Sequence, residues 1–345
     1  MKAFVTGATG LFGNNLVRAL KAEGHAVRAL VRSTPKAQHL LGDVDVELVE
    51  GDMTNVSSFA HALDGVDVVF HTAAYFREYY GAGDHWPQLE AINVRGTLAL
   101  AEAAHAHGVA RFVHTSSSGT IGFRPDGSPG DEDTPPAPIA RDNLYFKSKV
   151  LTAERLRELS TRTGLDVVQV LPGWMFGPGD AAPTSSGRIV LDFLAGTLPG
   201  IPPGGMNAAD VRDVAQATIR VAERGRAGDK YLLAGPFVTL DEVIHLLAEV
   251  TGLPAPRLRI PYPMALAYAT VAQTWARVTG GRTLVTIAGV RMMNAQLKVS
   301  SAKAERELGW RPRLLRETLR DEVAWFRSQG MVKEPSRRGA SAVAA

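Results

Sequence analysis

Residues 6–13 read TGATGLFG, and the way that stretch is taken decides the fold. It follows a short apolar run, KAFVT, and opens into NNLVRALKAEG, where apolar residues recur at helical spacing. Gly7, Gly10 and Gly13 stand as G-x-x-G-x-x-G. A strand that turns at once into a helix on glycines gives a tight turn, close helix–strand packing and a backbone that can touch a pyrophosphate. The phosphates then lie on free amides at the helix N-terminus, where the dipole favours negative charge. Gly7, Thr9, Gly10, Leu11, Phe12 and Gly13 are the residues expected to hold them.

Outward from this loop the pattern repeats. AVRALVR, VELVEGD, DVVFHTAA, RFVHTSS and DVVQVLP read as further strands, with helical stretches such as RGTLALAEAAHAHG between them. Strands alternating with helices mean βαβ units and a parallel sheet. The expected fold is therefore α/β, a Rossmann doubly wound parallel sheet with a smaller, mostly helical C-terminal domain. After Leu171, PGWMFGPGDAAPTSSG and AGTLPGIPPGGMN are Pro- and Gly-rich and leave the sheet. Residues 1–171 are assigned to the dinucleotide-binding domain, with 207–235 returning to it. Residues 172–206 and 236–333 are assigned to a substrate-binding domain, and 334–345 to a disordered tail.

The 345 residues are 45% hydrophobic and 21% charged, as in soluble globular proteins. A net charge of +3, with cations gathered in the tail KEPSRRGASAVAA, gives no reason to expect a nucleic-acid face. The absence of cysteine excludes disulfides, thiolate metal sites and cysteine nucleophiles. The nine histidines show no ligand spacing; His105 and His107 are two apart on an expected helix and point to different faces, so no metal is expected. MKAFVTGATG does not read as a signal peptide, and a cytoplasmic protein is expected. Residues 264–280, MALAYATVAQTWARVTG, are too short and polar to span a bilayer of about 30 Å. They are expected to form a buried helix, with a lipid-surface helix as the alternative.

LYFKSK places Tyr145 four residues before Lys149, on one helix face. A phenol of pKa near 10 exchanges protons poorly at neutral pH. A nearby ammonium stabilises the phenolate and brings that pKa toward the working range. Lys147 lies close by too, so only spacing selects Lys149. Upstream, HTSSSGTIG ends a strand at the carboxyl edge of the sheet, where ligands bind and a hydroxyl can meet a carbonyl oxygen.

Together the glycine loop, Asp52 in EGDMTN, HTAA, Asn93 in INVRGT, TSSS, Y-x-x-x-K and PGWMFGPG resemble the extended short-chain dehydrogenase/reductase family, which includes the NAD-dependent epimerases and dehydratases. The likeness runs through NAADVRDVA and SSAKAERELGWRP and looks closest to the dihydroflavonol 4-reductase-like and hopanoid-associated sugar epimerase branch. The resemblance implies Tyr145 as general acid/base, Lys149 as the group that tunes it and holds the nicotinamide ribose, and Ser117 as the catalytic serine, with Ser118 as runner-up. Asn93 matches the family's helix asparagine, with a purely structural hydrogen bond as the other reading. Asp52 and Met53 match the adenine contact, and Thr72, Ala73 and Ala74 the wall beside adenosine and nicotinamide. Thr115 lies on the cofactor side, and Pro172 begins the loop at the carboxamide. The resemblance also implies a small-molecule substrate and a possible homodimer.

Family members that use NAD carry an acid where this chain has Val31; Arg32 follows it, and no carboxylate is expected nearby to repel a phosphate. A guanidinium grips a 2′-phosphate bidentately, and Lys36 can add charge, so NADP(H) is favoured over NAD(H). The implied reaction is carbonyl reduction, by hydride transfer to carbon with Tyr145 donating the proton. Tyr75, Phe76, Tyr79, Tyr80 and Trp86 crowd one loop, and they either line an apolar pocket or pack on the second domain. Trp174, Met175, Phe176 and Arg188 are further pocket candidates. Trp174 stands where nucleotide-sugar enzymes often carry a small or polar residue. Two rivals remain: an NAD-dependent nucleotide-sugar epimerase/dehydratase, and a non-catalytic dinucleotide sensor.

Overall fold

The apolar runs become parallel strands. In a computed structural model, residues 1–76, 84–279 and 285–332 are described. β1 (Lys2–Thr6) passes through the glycine loop into α1 (Leu11–Ala22), then β2 (Ala26–Val31), α2 (Thr34–Leu41), β3 (Glu47–Glu50) and β4 (Val68–His71). α3 (Trp86–Leu89) runs through a π-helical segment (Glu90–Gly96) into α4 (Thr97–Ala106), followed by β5 (Arg111–Thr115), α5 (Pro138–Asp142), α6 (Leu144–Thr163) and β6 (Asp166–Pro172). Beyond it come β7 (Trp174–Phe176), α7 (Ser185–Leu194), β8 (Gly205–Asp210), α8 (Val211–Arg224), β9 (Lys230–Leu233) and β10 (Phe237–Thr239). The chain continues through α9 (Leu240–Thr251), α10 (Tyr262–Thr279), α11 (Ile287–Ala295), α12 (Ala302–Leu308) and α13 (Leu315–Ser328).

The large sheet has seven strands in the order β3-β2-β1-β4-β5-β6-β9, every pair parallel. Strand order reverses between β1 and β4, and such a switch point opens a crevice at the carboxyl ends of the strands. β-branched residues suit these strands because both faces are covered. One face packs Val5, Phe70, Val113 and Val170 against α1 and α8, including Leu16 and Val214. The other packs Phe4, Val69, Phe112 and Val167 with Leu100 of α4 and Leu156 of α6.

The stretch 207–235, expected to rejoin the large sheet, divides. Only β9 pairs there, while β8 lies between β7 and β10 in a three-stranded sheet. A third core, with Phe176, Phe193, Val243, Leu247, Val323 and Phe326, joins that small sheet to α7, α9 and α13. Among the described residues no helix is long and apolar enough to cross a membrane.

The helix expected to be buried is not. α10 turns Ala265, Ala269 and Ala276 inward and leaves Met264, Tyr268, Val271, Trp275 and Val278 on the surface. The tail 334–345 lies outside the described residues.

Candidate active site

The glycines of the first loop are needed for space. Gly7 has φ of +70°, and a Cβ there would lie 2.7 Å from the Ala73 amide nitrogen. A Cβ at Gly13 would stand 2.1 Å from the Gly7 carbonyl oxygen, which no rotamer relieves; at Gly10 the same oxygen would be 3.3 Å away. The N-terminus of α1 has no side-chain cap and no acid in its first turn. Its free amides therefore suit an anion. This loop fits the diphosphate of a dinucleotide, with backbone rather than side chains supplying the contacts.

Beside it, Thr72 Oγ1 donates to the Thr6 carbonyl (2.7 Å), and the Ala73 amide donates to Thr6 Oγ1 (3.2 Å). These bonds fix the 72–74 wall against β1. Asp52 sits after β3, accepting from the Thr54 amide (2.8 Å) and hydroxyl, and these bonds hold its carboxyl below the usual range, helped by Arg32. The Met53 side chain is buried in the core with Phe59 and Val56, so only its backbone is on offer at an adenine edge.

The surroundings of Arg32 correct the sequence reading. Arg32 and Lys36 are exposed after β2, but carboxylates are not absent there. Glu50 pairs in register with Val31, and its Oε2 accepts from the Thr34 amide (3.1 Å) and hydroxyl (2.9 Å). Asp52 is the second acid, close enough for Arg32 to lower its pKa. Parallel pairing carries β3 alongside β2, a proximity that local sequence does not reveal.

On α6, Asn143 caps the helix by accepting from the amides of Tyr145 (3.1 Å) and Phe146 (3.3 Å). This fixes the first turn, which carries the phenol. Lys149 Nζ lies 5.8 Å from the Tyr145 ring centre and donates to the Thr115 carbonyl at 2.7 Å. Burial pushes the Lys149 ammonium down to about 7. Near neutral pH it is thus poised between charged and neutral, and negative charge arriving beside it favours the charged form. Lys147, which sequence spacing alone separated from Lys149, is exposed with its Nζ 4.3 Å from the Trp86 ring centre. Thr115 Oγ1 is buried without a partner among the described residues.

Of the serines, Ser116 and Ser118 are buried, while Ser117 is partly exposed. Ser117 caps the short turn Ser118–Thr120, its Oγ accepting from the Gly119 amide at 3.2 Å. Ser116 lines a cavity of about 420 Å³ with Gln169, Arg157 and Lys230. That cavity lies along Val150, Ala153 and Glu154 of α6, and neither Tyr145 nor Lys149 lines it.

Asn93 lies in the π-helical segment and is buried. Its Oδ1 accepts from the Tyr75 amide (2.7 Å), and its Nδ2 donates to the Tyr75 carbonyl (3.2 Å) and to Ser148 Oγ (3.1 Å). Ser148 Oγ in turn donates to the Tyr145 carbonyl (2.6 Å). Asn93 therefore ties the loop after β4 to the turn carrying Tyr145, touching the first through the Tyr75 backbone and the second through the Ser148 hydroxyl. Its carbonyl accepts from Thr97 and Thr152 hydroxyls. Since the Thr97 hydroxyl already donates to Asn93, the nitrogen of His71 facing it, Nε2 at 2.8 Å, is the protonated one. His71 Nδ1 then accepts from Thr6 at 2.7 Å. Burial, and then Lys149, push His71 down to about 3 and His114 well below its ordinary value, so both stay neutral under the lysine.

The expected substrate residues scatter. The Phe76 ring lies 4.6 Å from the Tyr145 ring, at its centre, whereas the Tyr75 hydroxyl bonds to His85 Nδ1 at 2.9 Å. Phe176 is fully buried in the third core, so it lines no pocket; Trp174 stacks edge-on against it at 4.8 Å. Met175 packs against the first core. Arg188 is exposed on α7 near Asp192. Pro172 is buried at the end of β6. Tyr79 and Tyr80 lie outside the described residues. The sequence reading missed Ile139 of α5, Met292 of α11 and Leu297 just beyond it, which form one apolar cluster with Phe146 and Tyr145. A signal for these lay only in an apolar GVRMM, with nothing local to say what it would cover. A surface group of Glu23, His25 and Glu223 has ligand atoms within 4.8 Å of one another, but its carboxylates are exposed, as such groups commonly are without an ion.

Similarity to known proteins agrees with this geometry. The model of the NAD dependent epimerase/dehydratase family matches residues 3–234. The chain is 35% identical over 334 residues to sterol demethylase protein B of Methylococcus capsulatus, covering 96% of this chain and all of that one. It is 33% identical to a putative dihydroflavonol 4-reductase of Synechocystis, covering 96% of both chains. The crystal structure of gox2253 superposes with a TM-score of 0.83 at 34% identity, covering 96% of this chain and 99% of that one. With its Rossmann sheet, its glycine cradle and this breadth of similarity, the chain belongs to the NAD-dependent epimerase/dehydratase family of NAD(P)-dependent short-chain dehydrogenase/reductase enzymes.

Proposed function

We propose that this enzyme reduces a ketone or aldehyde carbonyl on a small apolar or aromatic substrate, with NADP(H) as the exchanged cofactor. The observation that carries the reading is the apolar surround of Tyr145: Phe76 against its ring, and partly buried Ile139 and Leu297 packed with it on the buried Phe146 and Met292. Carbon-rich side chains around a proton donor favour an apolar substrate. A nucleotide sugar brings a diphosphate and needs cations; Arg188, the cation among the pocket candidates, stands exposed beside Asp192.

When bound on the glycine loop, the reduced dinucleotide supplies a hydride. The chain's own groups do the rest. The Tyr145 hydroxyl donates its proton to the carbonyl oxygen, and Lys149, charged, stabilises the phenolate left behind. The partly exposed Ser117 hydroxyl orients that oxygen. Asn93 acts as a positioning residue, since its side chain is engaged by Tyr75 and Ser148. Arg32, with Lys36, is assigned to the 2′-phosphate. Glu50 and Asp52 already accept hydrogen bonds from Thr34 and Thr54, which tempers their repulsion of that phosphate.

The test is NADPH oxidation across a panel of hydrophobic and polar carbonyl compounds, followed by deuteride transfer from labelled cofactor. Deuterium on the carbinol carbon of an apolar product is the expected result. Turnover confined to nucleotide sugars, with no net cofactor oxidation, would refute the reading.

A further inference from the structure

The outward face of α10 has no role in the chemistry above. Met264, Tyr268, Val271, Trp275 and Val278 step by four, three, four and three residues, so they form one stripe. They are 59%, 61%, 67%, 70% and 78% exposed. The stripe runs about 21 Å along the helix. A contiguous apolar surface of this kind marks an interaction site. The polar residues along the helix do not offset it: the hydroxyls of Thr270, Thr274 and Thr279 each donate to the carbonyl four residues back. Those bonds leave the hydroxyls little need for water, which lowers the cost of taking this face out of water.

The charge carried by this part of the chain is of one sign. From Val250 to Ala304 the sequence holds no Asp or Glu, while Arg257, Arg259, Arg277, Arg282, Arg291, Lys298 and Lys303 are cations. Arg259 is held by Asp241 and Lys303 by Asp229. Among the described residues Arg257, Arg291 and Lys298 are exposed and make no ion pair. A second copy on this face would bring cations against cations, as a two-fold interface sets identical patches together. An anionic lipid surface meets both features, with apolar side chains entering the acyl boundary and cations at the headgroups. Tyr268 and Trp275 are the ring types that settle at that boundary.

We infer that α10 docks the enzyme on an anionic bilayer surface, lying in the interface rather than crossing it. The inference rests on exposure and charge and does not depend on the reductase reading, since its test measures binding alone. The full-length protein is floated with vesicles of phosphatidylcholine and with vesicles of phosphatidylcholine and phosphatidylglycerol. The wild type is expected to rise with the anionic vesicles, with about tenfold weaker partitioning onto the neutral ones. The double variant Val271→Gln, Trp275→Gln, altered only at exposed positions, is expected to lose about tenfold in partitioning at unchanged circular dichroism. Raising salt to about 0.5 M should weaken the wild type as charges are screened. Failure of the wild type to float, equal flotation on neutral vesicles, or equal flotation of the double variant overturns the inference. So does a fall to half the wild-type mass for that variant in lipid-free buffer, which would show that the stripe joins two copies.

Discussion

The glycine loop and α10 are both made of small residues beside large apolar ones, and they use them in opposite ways. Around the loop, Gly7 and Gly13 let backbone approach backbone while Leu16 and Phe70 fill the core behind. On α10 Ala265, Ala269 and Ala276 face the protein and Met264, Val271 and Trp275 face out. Close packing through small residues serves both regions, but only the loop leaves its large side chains a partner within the chain. The lesson is that apolar periodicity reports which faces a helix has, while the fold decides which face is covered.

On the proposed reading the chemistry belongs to the carboxyl edge of the large sheet and the membrane contact to α10, and variants can break that division. The largest effect is expected for Tyr145→Phe, which removes the proposed proton donor and leaves the ring packing on Phe76. Turnover should fall by roughly 10²- to 10⁴-fold with dinucleotide affinity nearly unchanged; retained activity would move the chemistry elsewhere. Next comes Gly13→Ala, whose Cβ has no room beside the Gly7 carbonyl. A loss of stability of about 1–3 kcal/mol, with dinucleotide binding lost, is expected from denaturant melts and titration. A variant that binds normally would show the loop to be softer than its geometry.

Arg32→Ala sharpens the cofactor assignment. Loss of a charge-assisted bond of about 1.5–3 kcal/mol should weaken NADPH by about tenfold or more and leave NADH almost untouched. Equal losses for the two cofactors would remove Arg32 from the 2′-phosphate. The smallest effect is expected at Glu322 of α13, which is fully buried and accepts from the Gly177 amide at 3.1 Å. Burial, then the charges of Asp180 and Asp210, hold its carboxyl well above the ordinary glutamate value. The folded state keeps a proton there that the unfolded chain has released, so this group's contribution to stability falls as pH rises above the ordinary value toward the folded one. Glu322→Gln should flatten that decline and be neutral or mildly stabilising, by up to about 1 kcal/mol, because the amide resembles the protonated acid. A steeper decline in thermal melts across pH would contradict it.

The sheet was legible because each strand carries its own apolar run and the first turn its glycines. The Tyr145–Lys149 spacing was legible for the same local reason. What could not be read were relations between distant segments. Glu50 reaches Thr34 only because β3 pairs beside β2. Phe76 meets Tyr145 only because Asn93 ties the loop after β4 to α6. β8 reads as part of the returning segment but pairs with β7, a choice made by the loops that carry it away from the large sheet. Residues 264–280 read as a buried helix because apolar residues predominate, and composition does not say whether anything covers them.

The account turns on a cofactor that is exchanged at each turnover. The most direct measurement is to purify the protein natively, denature it and identify any released dinucleotide by mass. An empty protein, or one with traces of NADP(H), is the predicted result, because a reductase must release its oxidised cofactor after each hydride. Stoichiometric NAD⁺ would contradict it, since a resident oxidised cofactor belongs to an epimerase that oxidises and re-reduces the same substrate.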